Sequence, residues 1–207
     1  MGRDLHSLLR DLASATADVT VVGFLDDDAR RHGQQVHGLP ILGGMEWVAG
    51  KADVEVAVGI GSPVAKRRLA ERLSAAGSPA ATVVHPSASV GEDVVLGVGT
   101  IVSAGCVLTS DIRVGPLVTI NTCCSLAHDD VVEAYASLAP GVHLSGNVLV
   151  GEGADLGAGA VTIQGVRVGM WSIVGAGAVV TADVPANVTA VGIPARVITR
   201  REAGWHE

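Results

Sequence analysis

An aliphatic residue recurs every six positions from Val84 to Val180, and the phase of this repeat never shifts. Sixteen of the seventeen positions are aliphatic, and Thr162 is the departure. Four residues after each stands a second residue that is usually small, for example Cys106 or Ala136. This six-residue period is typical of a parallel β-helix, in which each unit is a short strand and a turn. A unit buries its aliphatic side chain only by stacking on neighbouring coils, so three units a turn predict about six coils of a triangular prism.

The phase also sorts the side chains of the segment NTCCSLAHDD, residues 121–130. Cys124 falls in a small inward slot and is predicted to be repeat filler. His128 and Asp129 fall outside the inward slots, so we expect them on the outer surface. Asp130 occupies an inward slot, where a carboxylate is costly unless it is hydrogen-bonded.

The first 80 residues have a different pattern, with alternating helix and strand signals. Leucines at helical spacing predict a helix near the N-terminus, and a second helix is predicted from Pro63 to Gly77. β-branched stretches predict strands over residues 18–25, 53–61 and 80–86. This alternation predicts a small parallel sheet with helices packed on it. The expected division is an α/β domain over 1–80, a β-helix over 84–185 and a C-terminal tail over 186–207.

Composition narrows the classes of function. The chain has 207 residues with 27 glycines, 48% apolar residues and 2% aromatic residues, so its core is built from small aliphatic side chains. The net charge of −7 argues against non-specific nucleic-acid binding, which requires a basic surface. The sequence has no apolar run of the roughly 20 residues that span a bilayer, and its three cysteines make no disulfide framework. We expect a cytoplasmic protein that binds neither nucleic acid nor membranes.

The order of several motifs along the chain is more specific than the repeat itself. In that order the chain resembles the sugar O- and N-acetyltransferases of the sialic-acid O-acetyltransferase and bacillosamine N-acetyltransferase type. The resemblance implies a Rossmann-like N-terminal domain, a left-handed β-helix, and homotrimers that bind acetyl-CoA in grooves between neighbouring helices. The motifs that carry it are GFLDDD (residues 23–28), GLPILGG (38–44), VAVGIGSP (56–63), VVHPSASV (83–90), INTCCSLAHDD (120–130), APGVHLSGNVLVG (139–151), VGAGAVVTADVP (174–185) and VGIPARV (191–197).

The resemblance assigns the general base to His128, with Asp129 raising its basicity. Acetyl transfer from a thioester requires the acceptor to lose a proton as it attacks, and an imidazole with a pKa of about 6.5 suits that step. A carboxylate beside it stabilises the imidazolium that forms. The alternative is a solvent-facing histidine with no catalytic part. Motif, phase and outward direction together favour catalysis.

For acetyl-CoA, the resemblance implies contacts from Gly146, Ala158 and Ala176, small residues beside which the pantetheine arm approaches the backbone. All three also suit an ordinary repeat, and that alternative stays open. Ser137 stands where relatives often have a histidine that helps to hold the cofactor, and a hydroxyl is its replacement here. No metal is expected.

For the acceptor, the resemblance implies a nucleotide-linked sugar near Asp26, Asp27 and Gly59, although an ordinary acidic loop is the alternative for the two aspartates. The predicted pattern lacks the first strand of a Rossmann-like domain, because the predicted first helix has no strand and no glycine-rich turn in front of it. A wrong start, a truncation or a real loss would each explain this, and we favour a wrong or shortened start.

The sequence therefore predicts an acetyl-CoA-dependent acetyltransferase that modifies an amino group, or a hydroxyl, of a sugar or nucleotide-linked sugar. Two other functions compete. One is a non-catalytic scaffold or sugar-nucleotide-binding protein. The other is a metal-dependent β-helix hydratase, whose histidines would have to be His85, His128 and His143. These lie too far apart along the repeat to converge, so the hydratase is the weaker alternative.

Overall fold

The computed structural model describes residues 2–16, 19–51 and 53–206 of the chain. Its larger part is the β-helix that the repeat predicts. Each six-residue unit supplies one two-residue strand whose first residue faces outward and whose second faces the axis. Strands pair in parallel with those one coil away, as Ile120 does with Val102 and Leu138. Three units therefore make one coil, as predicted.

The prism has three walls, each a parallel sheet. Wall 1 contains β4 (Val83–Val84), β7 (Ile101–Val102), β10 (Thr119–Ile120), β13 (Ser137–Leu138), β16 (Asp155–Leu156) and β19 (Ile173–Val174). Wall 2 contains β5 (Ser89–Val90), β8 (Val107–Leu108), β11 (Ser125–Leu126), β14 (His143–Leu144), β17 (Val161–Thr162) and β20 (Val179–Val180). Wall 3 contains β6 (Val95–Leu96), β9 (Arg113–Val114), β12 (Val131–Val132), β15 (Leu149–Val150) and β18 (Arg167–Val168).

Aliphatic side chains fill the axis of the prism. Ile120, Leu126 and Leu156 are fully buried, as is Cys124 in a small inward slot. The corners need backbone that most residues avoid, with φ near +60°. Asp93, Asp111 and Asp129 adopt it in successive coils, with φ values of 56°, 56° and 63°. Aspartate tolerates this left-handed conformation better than most side chains, which explains its recurrence at one corner.

The N-terminal region is smaller and less regular than the predicted parallel sheet. A three-stranded sheet contains β1 (Phe24–Leu25), β2 (Gln35–Val36) and β3 (Leu39–Gly43) in the order β1-β3-β2, with β1 parallel and β2 antiparallel to β3. Ser62 caps the second helix by accepting from the N–H of Ala65, and Pro63 is its first residue. The other elements are the helices α1 (Gly2–Ala15) and α2 (Pro63–Ala75), with 3₁₀ turns at Ala29–Arg31 and Met45–Val48.

All three strands predicted for the N-terminal region are shorter than the sequence suggests. Of residues 80–86 only Val83–Val84 form a strand, and it belongs to wall 1 of the β-helix. Of residues 18–25 only Phe24–Leu25 form a strand, and Asp18 lies outside the described residues. Of residues 53–61 only Val56 makes a bridge, with Ala80. A strand is defined by a hydrogen-bonded partner, and the described residues offer this stretch one partner only. A β-branched composition favours extended backbone, but it does not provide the hydrogen-bonded partner that a strand needs.

Both helices pack on wall 1. Leu5 and Leu8 of α1 form an apolar cluster with Val83 and Ile101. Lys66 of α2 is 1% exposed.

The buried Lys66 ammonium group anchors α2 to the β-helix. Its Nζ donates to the Thr119 hydroxyl at 3.2 Å and to the Ala136 carbonyl at 2.9 Å. Burial lowers the pKa of Lys66 to about 7, and the nearby Asp155 carboxylate opposes that shift. The N-terminal region is thus fixed to wall 1 by polar as well as apolar contacts.

The C-terminal segment continues wall 1. β21 (Val188–Val191) pairs in parallel with β19, and β22 (Arg196–Arg200) returns antiparallel to β21. In the described ranges neither helix combines the length and apolarity of a membrane span.

Candidate active site

The candidate site is the turn between walls 2 and 3 that carries His128 and Asp129. Both side chains face outward, with 67% and 62% of their surface exposed, as the repeat phase predicts. The Nδ1–H of His128 donates to Oδ2 of Asp129 at 2.8 Å. That bond raises the pKa of His128 above its usual value, with smaller contributions from the nearby Asp130 and Asp111 carboxylates. The contact fixes the tautomer and leaves the Nε2 lone pair as the proton acceptor.

Gly146, one coil further on, lies directly against the His128 ring. A Cβ on Gly146 would stand 2.6 Å from Nε2 and 2.7 Å from Cε1 of His128. The same corner position in other coils holds Glu92, Ser110 and Gln164, so the backbone itself accepts a side chain there. The contact with the histidine ring is therefore a structural reason for glycine at this position.

A cleft of about 370 Å³ opens beside this pair. Its walls include Asp93 and Asp111, which precede Asp129 at the same corner by two coils and one, together with Val95 and Arg113. The motifs of the sequence do not single out Asp93 and Asp111. The signal that identifies them is their spacing of one coil, 18 residues, which places them in line with Asp129.

The cysteines take the positions that the phase predicts. Cys106 and Cys124 are buried in successive coils, and Cys123 is exposed. Contact with Cys106 and burial both raise the pKa of the Cys124 thiol. A thiol held in its neutral form is a poor nucleophile and a poor metal ligand. Among the described residues no group of three or more His, Cys, Asp or Glu side chains is placed to hold a metal ion.

The four residues predicted to hold acetyl-CoA do not all meet. Gly146 lies at the His128 corner. Ala158 and Ala176 are exposed in successive coils at the corner between walls 1 and 2, across wall 2 from His128. Ser137 is buried on wall 1, and its hydroxyl donates to the Gly61 carbonyl at 2.8 Å. Within one chain Ser137 is thus engaged with the N-terminal region, and its part in cofactor binding stays a prediction.

The predicted acceptor residues all have partners within the chain. Asp26 forms an ion pair with Arg31 and accepts from the N–H of Asp28 at 2.9 Å. Asp27 accepts two hydrogen bonds from the Arg72 guanidinium, at 2.6 and 3.0 Å, which lower the pKa of Asp27.

The third of them, Gly59, packs closely on the first turn of α1. A Cβ on Gly59 would stand 3.1 Å from the Cα of Gly2 and 3.1 Å from the Leu5 side chain. Packing explains the glycine, and a substrate contact at this position stays a prediction.

Known proteins share both the fold and the order of its parts. Residues 7–73 match the PglD N-terminal domain family. The UDP-N-acetylbacillosamine N-acetyltransferase of Bacillus subtilis is 37% identical over 108 residues, which are 47% of this chain and 46% of that protein. The chain thus matches about half the length of this curated relative.

Solved structures match over nearly the whole chain. A mutant of perosamine N-acetyltransferase from Caulobacter crescentus, in complex with CoA and GDP-perosamine, has a TM-score of 0.84 and 33% identity, covering 93% of this chain and 91% of that one. The acetyltransferase domain of PglB from Neisseria gonorrhoeae, in complex with acetyl coenzyme A, has a TM-score of 0.86 and 29% identity, with coverages of 95% and 94%. WeeI from Acinetobacter baumannii has a TM-score of 0.87 and 30% identity, with the same coverages.

A left-handed β-helix behind a small α/β region is the fold that this chain shares with these acetyltransferases, and it places the chain in the class of hexapeptide-repeat acyltransferases. Within that class the chain belongs to the sugar N-acetyltransferase family of the bacillosamine and perosamine type.

Proposed function

We propose that the protein transfers the acetyl group of acetyl-CoA to the amino group of a nucleotide-linked sugar, with His128 as the general base. The observation that carries the proposal is the geometry of His128. Its Nδ1–H is held by Asp129 at 2.8 Å while its ring stands on an open surface beside a cleft. A base in this state accepts a proton at Nε2 and shares the resulting charge with the carboxylate.

The reaction follows from that arrangement. Nε2 of His128 takes the proton of the acceptor amine as the amine attacks the thioester carbonyl. A C–N bond forms, the C–S bond breaks, and CoA leaves as a thiolate that takes up a proton. Because CoA is already a good leaving group, the transfer proceeds in one ternary complex and needs no acyl-enzyme.

The acyl donor is acetyl-CoA, and the three residues Gly146, Ala158 and Ala176 give its pantetheine arm close access to the backbone. Exposed apolar side chains on walls 2 and 3, among them Val95 and Val107, support a homotrimer in which neighbouring helices enclose the donor. Wall 1 is already covered by the N-terminal region. The free cysteines suit a reducing compartment, and we place the reaction in the cytoplasm.

The acceptor is a nucleotide-linked amino sugar, bound between the His128 corner of one subunit and the N-terminal residues Asp26, Asp27 and Gly59 of a neighbouring subunit in the trimer. Support comes from the perosamine N-acetyltransferase of Caulobacter crescentus, which was solved with CoA and GDP-perosamine. An ammonium-bearing sugar also suits a cleft lined by Asp93, Asp111 and Asp129.

A substrate screen tests this function. Amino sugars linked to UDP, GDP, dTDP and CMP are incubated with acetyl-CoA and the protein, and release of the CoA thiol is followed. We expect turnover of at least one amino sugar and none of the matching hydroxyl sugars. If none of the amino sugars leads to CoA release and acetyl-CoA does not bind, the scaffold alternative is supported instead.

Replacement of Asp129 by asparagine should shift the pH dependence of the reaction. Neutral His128 is the active form, so kcat/KM falls as the pH drops through the pKa of His128. Since Asp129 raises that pKa, Asp129→Asn moves the acid limb of the profile to lower pH. The plateau should fall about tenfold because the base is weaker. Asp111→Asn is the matched control, with a smaller shift because Asp111 contributes least to the pKa. An unchanged acid limb in Asp129→Asn would contradict the pairing.

A further inference from the structure

One column of inward residues contains a single charged member. The slot next to the His128 corner is filled in successive coils by Val94, Ile112, Asp130, Val148, Val166 and Val184. Asp130 is fully buried, so the column places a carboxylate where its neighbours have only aliphatic groups. Isolated burial of a carboxylate costs several kcal/mol, roughly, unless hydrogen bonds compensate it. The presence of a buried carboxylate in the same coil as His128 therefore requires an explanation from its local contacts.

The Asp130 carboxylate accepts two backbone hydrogen bonds. Oδ2 accepts from the N–H of Ala127 at 2.9 Å, and Oδ1 accepts from the N–H of Val148 in the next coil at 2.8 Å. The first of these differs from the regular ladder of the prism. The N–H groups of Thr109 and Ile163, which stand at the same corner in other coils, donate to the carbonyls of Leu126 and Val180.

The Ala127 bond closes the turn from Ala127 to Asp130 around the candidate base. Asp129 inside this turn has φ at +63°, and the His128 carbonyl accepts from the N–H of Asn147 at 2.8 Å. The turn is thus held from within by Asp130 and from the next coil through Val148 and Asn147. The direction in which His128 and Asp129 leave the backbone depends on these contacts.

We propose that Asp130 is a positioning residue for His128, which it serves by fixing the turn that presents the ring to Asp129 and to Gly146. The inference rests on the proposed function, in which His128 is the base. Asp130 itself is buried and touches no substrate. Burial raises the pKa of Asp130 to about 6. It is therefore mostly ionised at neutral pH, where its charge, with those of Asp129 and Asp111, raises the pKa of His128.

The test is Asp130→Val, which installs the aliphatic residue of the neighbouring coils. Because valine suits the column, we expect a melting temperature at or above that of the wild type. We expect kcat to fall between about tenfold and 100-fold as His128 loses its alignment, with KM for acetyl-CoA changed less than about twofold. Ile112→Val, one coil earlier in the same column, is the control and should leave kcat unchanged.

A second readout does not depend on turnover. In protein labelled at histidine Cε1, NMR titration should show the pKa of His128 lower in Asp130→Val than in the wild type. If the substrate screen finds no acceptor, the shift in the His128 pKa still tests the role of Asp130. A failure of the proposed function can therefore be distinguished from a failure of this inference. If Asp130→Val does not fold, Asp130→Asn is the variant that tests the proposal. Its amide oxygen accepts from one N–H, but its NH₂ group faces the second N–H and cannot accept from it.

Three results would overturn the proposal. One is wild-type kcat with an unchanged His128 titration in a folded variant. Another is a lower melting temperature of Asp130→Val together with a fall in kcat that is fully explained by the smaller fraction of folded protein. The third is an unchanged His128 titration in Asp130→Asn.

Discussion

Replacement of His128 by alanine should lower kcat for acetyl transfer by about 100- to 10,000-fold, the usual contribution of a general base. The amine then has to lose its proton to water, because alanine supplies no proton acceptor at the position of the His128 ring. Binding of acetyl-CoA should be retained because the ring accepts a proton and does not hold the donor. Initial rates of CoA release at saturating donor, with calorimetric titration of acetyl-CoA, measure both quantities.

His143→Ala is the matched control for this variant. His143 lies on wall 2 one coil further on, faces outward, and bonds to the Ser125 hydroxyl at 2.8 Å through Nδ1. We expect it to leave kcat within about twofold of wild type. If His128→Ala loses no more activity than His143→Ala, His128 is a surface histidine and the proposed mechanism is wrong.

The second large effect is expected from Gly146→Ala, which adds one methyl group beneath the His128 ring. The added Cβ would lie 2.6 Å from Nε2, so the ring must move and its bond to Asp129 must bend or break. A displacement of about 1 Å at a reacting group is enough for about 100-fold in rate. We expect kcat to fall by that order while the fold stays intact. Circular dichroism and initial rates test the two parts separately.

A double-mutant cycle isolates the cause of the Gly146 effect. In a His128→Ala background the ring is gone, so Gly146→Ala should have almost no further effect on kcat. Gln164→Ala, which changes the same corner position one coil later, is the control and should leave kcat unchanged. Additive losses in the double mutant would mean that Gly146 acts independently of His128, through the donor alone.

The β-helix could be predicted closely because every residue's surroundings repeat at a fixed spacing. A residue in the prism has neighbours one coil before and one coil after, so its phase alone states whether it faces the axis. The outward directions of His128 and Asp129 and the inward direction of Asp130 follow from that rule. What satisfies Asp130 did not follow, since the two N–H groups it accepts depend on the local path of the turn.

The N-terminal region was less predictable because its contacts join distant segments without a period. The sequence indicates only that Lys66 is one of several basic residues on a helix, yet its side chain is buried against Thr119 and Ala136. The burial of Ser137 was also not predictable from the sequence, because it depends on a contact with the N-terminal region. By its phase Ser137 faces outward on wall 1, yet it is buried because the N-terminal region covers that wall.

The most direct measurement of the central claim follows the acetyl carbon itself. Acetyl-CoA labelled with ¹³C at the carbonyl is mixed with an amino sugar nucleotide from the screen, and the product is observed by NMR. We predict a single new carbonyl signal, an amide on the sugar nitrogen, that depends on His128. A label that ends in an ester, in free acetate alone or on the protein would contradict the account.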